Sequence, residues 1–212
     1  MKTTPLALAL GLTFAATSAP AQTITFGDRQ PGVLPKELEV GLTGGGPSPR
    51  WEVVADPSAK GGNALAQLST DPTDLRFPLA ITRADAPADV EVTTRFKPIS
   101  GKGDQAGGLA VRLKDPNNYY VTRANALEDN VRFYRVVNGR RQELAGANVK
   151  VASREWHTLT LRAEGDRFTV SFDGKPLISH VDRTFKDAGK VALWTKADSV
   201  THFETLVVKP LR

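Results

Sequence analysis

Apolar and polar residues alternate with a period of two along most of this chain. Val90, Val92 and Phe96 are separated by polar positions, and Phe168 to Phe172 repeats the same alternation. Successive side chains of a β-strand point to opposite faces, so this period predicts strands that are half buried. Helical periodicity is confined to short pieces near positions 181–187. The pattern therefore indicates an all-β protein.

Turn-forming residues separate the alternating segments. Asn138-Gly139 is the strongest hairpin signal, because both residue types tolerate the positive φ of a type I′ turn. Gly165-Asp166 and Asp173-Gly174 mark further hairpins, and Asp115 to Asn118 marks another turn. Strands every 8 to 12 residues are typical of an antiparallel jelly-roll β-sandwich. The expected strands include 23–26, 37–42, 51–55, 64–69, 77–81, 89–99, 109–113, 119–125 and 131–138.

The first 21 residues have the pattern of a signal peptide. Lys2 precedes an apolar run over 6–16, and Ala19-Pro20-Ala21 has the spacing of a cleavage site. The apolar run is too short to span a membrane. We expect cleavage near Ala21 and a periplasmic or secreted product. We expect residues 22–50 to form an irregular segment with edge strands, which joins the β-sandwich of residues 51–212 in one domain.

Composition and charge exclude several classes of function. The chain has no Cys, which excludes disulfides, thiol catalysis and thiolate metal sites. It carries 28 Lys and Arg against 23 Asp and Glu, and residues 112–141 hold seven of these bases against three acids. This stretch is either a patch for an anionic polysaccharide or a set of solubilising charges. Without a basic helix or a known binding motif, a nucleic-acid partner is not expected.

Three long segments carry a resemblance to a known family. They are GGLAVRLKDPNNYYVTRANALEDNVRFYRVVNGRRQEL, EWHTLTLRAEGDRFTVSFDGKPL and KVALWTKADSVTHFETLVV. Together they resemble the concanavalin A-like lectin/glucanase superfamily, and within it the bacterial domain labelled 3-keto-disaccharide hydrolase, which is similar to family 16 glycoside hydrolases. The resemblance covers about residues 51–208. It implies two curved antiparallel sheets, with a carbohydrate site on the concave face.

Six residues are candidates for a sugar-binding face. Sugar sites combine planar aromatic surface with fixed hydrogen-bond donors, and Tyr or Trp beside Arg and Asn supplies both. Two of the candidates, Arg123 and Asn125, share a phase with Tyr119 and Val121. This phase requires either a bulged strand or a strand whose Tyr119 and Val121 face away from the main core. The candidates are Arg112, Arg123, Asn125, Arg132, Tyr134 and Trp194. Alternation predicts that Arg112 lies opposite to the core-facing Leu109, Val111 and Leu113, and that Tyr134 lies opposite to Val131 and Phe133.

Catalytic and metal-binding patterns are weaker. Glucanases of this fold place carboxylates at alternate positions of one strand, and Glu37 and Glu39 have that spacing without a third acid. Glu128 is expected to cap a turn or to border a site. The superfamily resemblance also implies a structural calcium ion, for which Asp28 and Glu204 are the first candidates. No other cofactor is expected.

Three functions remain open from sequence. The first is an exported protein that binds a glycan or glycoside without catalysing a reaction. The second is a glycoside hydrolase or lyase, as the family label implies. The third is an envelope adhesion module that binds an anionic polymer through residues 112–141. A carbohydrate or glycoside is the expected partner of the first two, and an anionic polymer such as an anionic polysaccharide that of the third.

Overall fold

Fifteen β-strands form the part of the chain that the structure describes. The structure is a computed structural model, and it describes residues 20–211. The signal peptide predicted over residues 1–21 lies almost wholly outside this range. The strands are β1 (Gln22–Thr25), β2 (Leu38–Gly44), β3 (Trp51–Ala55), β4 (Asn63–Gln67), β5 (Arg76–Thr82), β6 (Val90–Ser100), β7 (Ala106–Asp115), β8 (Asn118–Asn125), β9 (Asn130–Val137), β10 (Arg140–Asn148), β11 (His157–Glu164), β12 (Arg167–Phe172), β13 (Lys175–Val181), β14 (Lys190–Trp194) and β15 (Val200–Pro210).

The strands make two antiparallel sheets. The first sheet has the order β13-β12-β11-β6-β15-β4-β3, and β1 also pairs with β15. The second sheet has the order β10-β9-β8-β7-β14-β5-β2. This arrangement confirms the antiparallel jelly-roll sandwich predicted from the alternation. Among residues 20–211 there is no helix long and apolar enough to cross a bilayer.

Residues 181–187, the short pieces with helical periodicity, form no helix: Val181 ends β13, and residues 182–187 are irregular. Two polar groups of this segment bond to Tyr120, and within the segment the Thr184 backbone N–H donates to the Asp182 carboxylate at 2.8 Å. The Tyr120 hydroxyl donates to the Asp182 carboxylate at 2.5 Å and accepts from the Phe185 backbone N–H at 3.0 Å. The segment is thus fixed against β8.

The main core lies between the two sheets. Its aromatic centre joins Tyr120 and Phe133 of the second sheet to Phe168 of the first, with ring centroids 4.3 to 5.9 Å apart. Phe96 and Leu109 are fully buried in the same cluster. Because the described chain has no Cys, burial of this apolar surface takes the place of disulfides in holding the sheets together.

Turn chemistry sets the register of the β9–β10 hairpin. Asn138 and Gly139 have φ of 49° and 76°, as a type I′ turn requires. The two-residue turn places Arg141 opposite Val136 and Glu143 opposite Tyr134. Residues 134, 136, 141 and 143 therefore share one face of the second sheet.

Candidate functional site

The outer face of the second sheet, which points away from the first sheet, carries a second apolar cluster. All members of this cluster belong to the second sheet, in alternation with residues of the main core. In β8, Tyr120 lies in the main core, whereas Tyr119 and Val121 lie in the second cluster. Of the two arrangements that the sequence left open for β8, the structure therefore has the one in which Tyr119 and Val121 face away from the core.

Four aromatic rings, which we call the aromatic floor, lie on this outer face: Phe77, Tyr119, Tyr134 and Trp194. Phe77 and Trp194 stack with ring centroids 5.3 Å apart. Trp194 Nε1 donates to the Tyr119 hydroxyl at 3.3 Å. Gly108 on the neighbouring strand makes room for the indole, since a Cβ there would lie 3.2 Å from Trp194 Cε3 and 2.5 Å from a backbone oxygen.

The Tyr119 hydroxyl has a raised pKa because it is buried. Burial raises the pKa of Tyr119 to about 12, and hydrogen bonds with Thr43 and Trp194 only partly offset that effect. The hydroxyl therefore stays protonated over the whole physiological range. It serves to hold the floor together and not to transfer a proton.

Arg141 lies across the aromatic floor. Its guanidinium carbon is 4.4 Å from the centroid of Tyr134, 4.6 Å from that of Phe77 and 5.8 Å from that of Trp194. These are cation–π distances. Its Nη1 is buried and has no hydrogen-bond partner in residues 20–211. A buried donor without a partner costs about 1 to 3 kcal/mol, so this nitrogen favours an acceptor from outside the chain.

Arg123 contacts Tyr134 from β8, which lies on the other side of β9 from the strand of Arg141. Its Nη2 donates to Glu128 Oε2 at 2.6 Å and to the Tyr134 hydroxyl at 3.1 Å, while Nη1 donates to the Asn130 side chain. The Arg123 side chain is only 4% exposed. Its Nε is buried without a partner in the described residues. Arg123 and Arg141 thus each bring an unsatisfied donor to the same tyrosine.

Glu128 fixes Arg123. Burial raises the pKa of the Glu128 carboxyl, but the Arg123 charge and the hydrogen bond from Asn130 outweigh burial and leave that pKa below its usual value. The Glu128 carboxylate is therefore charged at neutral and mildly acidic pH. This arrangement orients the guanidinium plane and leaves Glu128 without a free proton to give.

A second polar group lies at the end of the outer face. Asp104 accepts from Asn125 Nδ2 at 2.7 Å and pairs with Lys196 Nζ at 2.8 Å. Lys196 also contacts Asp74 at 2.9 Å. Burial raises the pKa of Asp104, and Lys196 opposes the rise without cancelling it. These contacts join three loops at one end of the second sheet.

Five of the six residues predicted to bind sugar share this outer face. Arg123, Asn125 and Tyr134 take part in the contacts above, and Trp194 belongs to the floor. Arg132 lies beside them, where its Nε is 3.3 Å from the Glu143 carboxylate. No ligand contact tests their role, which stays a prediction.

The sixth residue, Arg112, lies elsewhere, and the phase predicted for it is wrong. A bulge with a φ of 49° at Arg112 interrupts the alternation of β7. Leu113 consequently joins the outer cluster instead of the main core. The Arg112 guanidinium donates to backbone oxygens of Ala88, Phe185 and Gly165 at 2.7 to 2.9 Å. It ties loops together at the sandwich edge.

Sequence reasoning missed Arg141, Phe77 and Lys196. For Arg141 a signal was present, because the Asn138-Gly139 turn already places it across from Val136. For Phe77 and Lys196 the sequence offered none. They reach the site through pairing of β5 with β14, strands far apart in sequence.

The carboxylates considered for catalysis are held in ion pairs. Glu37 bonds to Arg29 at 2.8 Å, and Glu39 bonds to Lys190 at 2.7 Å. The Glu39 carboxylate has its pKa lowered chiefly by the Lys190 hydrogen bond. A glycosidase acid needs a raised pKa, so this pair has the wrong electrostatics for the acid role.

Asp28 and Glu204, the predicted calcium ligands, border the same pocket of about 380 Å³. However, Glu204 Oε1 already accepts from Arg95 Nη1 and from the Lys60 backbone N–H, each at 2.6 Å. Within residues 20–211 no three acidic or histidine side chains converge as a metal site. Calcium prefers six to eight oxygen ligands, so these donors do not fit the ion as arranged.

The fold and the outer face define a lectin-like β-sandwich. Residues 105–211 match the family of the galactocerebrosidase C-terminal lectin domain, and this chain belongs to that family. The match includes β7 to β15, and so contains most of the site residues described above.

Other known proteins are similar over different extents. A levanase of Bacillus subtilis (strain 168) is 32% identical over 88 residues, which are 41% of this chain and only 13% of that enzyme. The carbohydrate-binding module CBM66 from Bacillus subtilis has the same fold, with a TM-score of 0.66, 22% identity, and coverage of 82% of this chain and 97% of the module. The exoplasmic domain of VIP36, in its Ca²⁺- and Man3GlcNAc-bound form, gives a TM-score of 0.60 at 12% identity over 83% of this chain and 84% of that domain.

Proposed function

We propose that this protein is a carbohydrate-binding module whose site is the outer face of the second sheet. The observation that carries the proposal is the pair of unsatisfied guanidinium donors, Arg123 Nε and Arg141 Nη1, on either side of Tyr134. The lectin-domain family and the fold shared with a carbohydrate-binding module support it.

Sugar hydroxyls fit these donors chemically. A guanidinium presents several N–H groups in one plane, which match neighbouring hydroxyl oxygens. Other protein atoms cover Arg123 Nε and Arg141 Nη1 in the free protein, so a ligand must displace a side chain to reach them. Arg141 is the side chain that moves, because its guanidinium is held by contacts with aromatic rings, whereas that of Arg123 is held by hydrogen bonds. Rotation of Arg141 exposes Tyr134 and brings Nη1 to the ligand.

The proposal does not include catalysis. On the outer face, Glu128 pairs with Arg123 at 2.6 Å and its pKa is lowered, which disfavours the role of a general acid. Asp104, whose pKa is raised, is held by Lys196 at 2.8 Å and by Asn125 at 2.7 Å. We further propose that the module acts after export, on the strength of the leader pattern at Lys2 and Ala19 to Ala21. N-terminal sequencing of the protein recovered from the producing cell tests this: a chain beginning at Met1 would refute it.

Glycan binding by two matched variants tests the site. Arg141→Gln removes the guanidinium from the floor, whereas Arg140→Gln removes the same charge from the opposite face of the same strand. A glycan array identifies a ligand, and calorimetry then compares the variants. We expect Arg141→Gln to weaken binding about tenfold, as the loss of one charge-assisted hydrogen bond does. Arg140→Gln should bind like the wild type.

Two results would overturn the proposed site. One is equal affinity of the wild type and Arg141→Gln for a ligand found on the array. The other is equal weakening by Arg140→Gln, which would indicate general charge attraction. Tyr134→Phe adds a finer test, because it removes only the hydroxyl that accepts from Arg123. It should weaken binding by less than Arg141→Gln does.

A further inference from the structure

A further pocket lies outside the outer face, at one end of the sandwich. It has a volume of about 810 Å³ and is formed where the β4–β5, β6–β7, β10–β11 and β14–β15 loops meet. We call it the loop-end pocket. Its polar lining includes Lys102, Gln105, Ser153, Arg154 and Asp198. The volume is sufficient for a monosaccharide unit.

The pocket has a rigid wall. Asp198 accepts from the backbone N–H groups of Lys102 at 2.6 Å, Gly103 at 3.1 Å and Asp104 at 3.0 Å. Burial raises the pKa of Asp198, but the hydrogen bonds from these backbone N–H groups outweigh burial and lower that pKa. The carboxylate therefore stays charged, and its oxygens are engaged by the β6–β7 loop. Gln105 donates to the Gly101 oxygen and accepts from Ser153, which locks the neighbouring loop in place.

Two basic side chains that line this pocket, Lys102 and Arg154, have no hydrogen-bond partner among residues 20–211. The Lys102 and Arg154 side chains are exposed, and within residues 20–211 these two residues form hydrogen bonds through their backbone N–H groups only. Nearby cations differ: Lys150 pairs with Asp129 at 2.9 Å, and Lys196 pairs with Asp104. The side chains that line the pocket thus include two unpaired positive charges beside one carboxylate that the backbone already satisfies.

The backbone at Arg154 is also strained. Its φ is 64°, in the left-handed region that disfavours residues with a Cβ. Its N–H donates to the Pro98 oxygen at 2.7 Å, which fixes this conformation. Strain of this kind is concentrated at functional sites. Here it holds Arg154 at the border of the pocket.

We propose that the loop-end pocket binds an anionic substituent of the glycan, a carboxylate or a sulfate ester, through Lys102 and Arg154. The inference rests on the proposed function, because one wall joins the two sites. Asp104 follows Gly103 in that wall and bonds to Asn125 on the outer face at 2.7 Å. A saccharide chain that crosses this wall reaches both sites.

Binding of charged and neutral saccharides to variants that lack the two basic side chains tests the pocket. The double variant Lys102→Ala/Arg154→Gly removes both cations, and glycine adopts the φ of 64° without strain, so the fold should be retained. The probes are trigalacturonate, a sulfated galactan tetrasaccharide and the neutral glycan found on the array. Lys186→Ala, an exposed lysine of the β13–β14 loop at the opposite end of the sandwich, is the control.

We expect at least one anionic probe to bind the wild type, and the double variant to bind it roughly tenfold more weakly. Neutral-glycan affinity should not change. The salt dependence of anionic binding should become shallower in the double variant, and Arg154→Lys should restore part of the affinity. The two anionic probes distinguish carboxylate from sulfate.

Failure of this inference differs from failure of the proposed function. If neither anionic probe binds the wild type, or if the double variant binds them unchanged, the pocket proposal is wrong. The proposed function still stands in that case if the neutral glycan binds and Arg141→Gln weakens it. A neutral glycan that binds independently of Arg141 overturns the proposed outer-face site and leaves the pocket proposal to its own test.

Discussion

The outer faces of the two sheets differ in how their polar groups are satisfied. On the first sheet, Asp56 pairs with Lys97 at 2.6 Å and with His202 at 2.7 Å. Ser58 accepts from Lys97 at 2.7 Å and from Trp156 Nε1 at 3.0 Å. On that face these side chains bond to one another within the described chain.

Around Tyr134 on the second sheet, the Arg123 and Arg141 guanidinium groups each leave one buried nitrogen without a partner in the described residues. Both faces contain Arg or Lys, aromatic rings and carboxylates, so composition does not distinguish them. The distinction lies in the balance of donors and acceptors. A face with complete hydrogen bonding stabilises the fold, whereas a face with buried donors left over has affinity for an external acceptor. The predictions below test this comparison.

The largest expected effect is on stability and compares the tryptophans of the two faces. Trp194 is fully buried, so Trp194→Ala should lower the free energy of unfolding by about 3 to 5 kcal/mol. Trp156→Ala loses one hydrogen bond and contacts with Arg95 and Lys97, which should cost about 1 kcal/mol. Urea denaturation of both variants measures the difference. Equal losses would show that the aromatic floor is not packed as described.

A smaller effect concerns pH and the first sheet. Burial is the main cause that lowers the pKa of His202 below its usual value, with Asp56 opposing and Lys97 adding to it. A lowered folded-state pKa means that the unfolded chain takes up a proton that the folded chain resists. Stability should therefore fall as pH drops below about 6.5, and be retained above it.

His202→Gln tests this dependence. Thermal unfolding between about pH 7.5 and about pH 5 should show a smaller decline in this variant than in the wild type. His180→Gln, at a partly exposed position, is the control and should decline like the wild type. If His202→Gln leaves the pH profile unchanged, proton uptake occurs elsewhere.

The smallest expected effect is that of calcium. Because Arg95 occupies Glu204, calcium in place of a chelator should raise the melting temperature of the wild type by less than about 1 °C. Arg95→Gln frees the carboxylate beside Asp28 and should give a larger shift. A marked, concentration-dependent rise in the wild type would instead support the structural calcium ion implied by the superfamily.

Local patterns were sufficient to predict the fold and much of the candidate face. Alternation predicted β6 and β12, and the Asn138-Gly139 turn predicted the β9–β10 hairpin. The phase of Tyr134 against Phe133 placed the tyrosine on the outer face. These features depend on residues close together in the chain, where the geometry of a strand or turn decides the outcome.

The sequence predictions failed where the structure depends on segments far apart in the chain or on a backbone irregularity. The bulge at Arg112 needs a positive φ at a residue that rarely adopts one, and no local signal marks it. Stacking of Phe77 on Trp194 depends on the pairing of β5 with β14. Engagement of Glu204 by Arg95 likewise requires β6 to lie beside β15. A single sequence does not specify such pairings.

Arg141 has a second consequence through its place on β10, the terminal strand of the second sheet. Terminal strands expose unpaired backbone groups that invite another chain to add on and aggregate. β10 begins with Arg140, Arg141, Gln142 and Glu143, and its register is irregular between Glu143 and Ala145. Charge and irregularity both discourage strand addition. The residues that we propose to contact a ligand at this edge therefore also disfavour pairing of β10 with another chain, and variants that remain polar should preserve that protection.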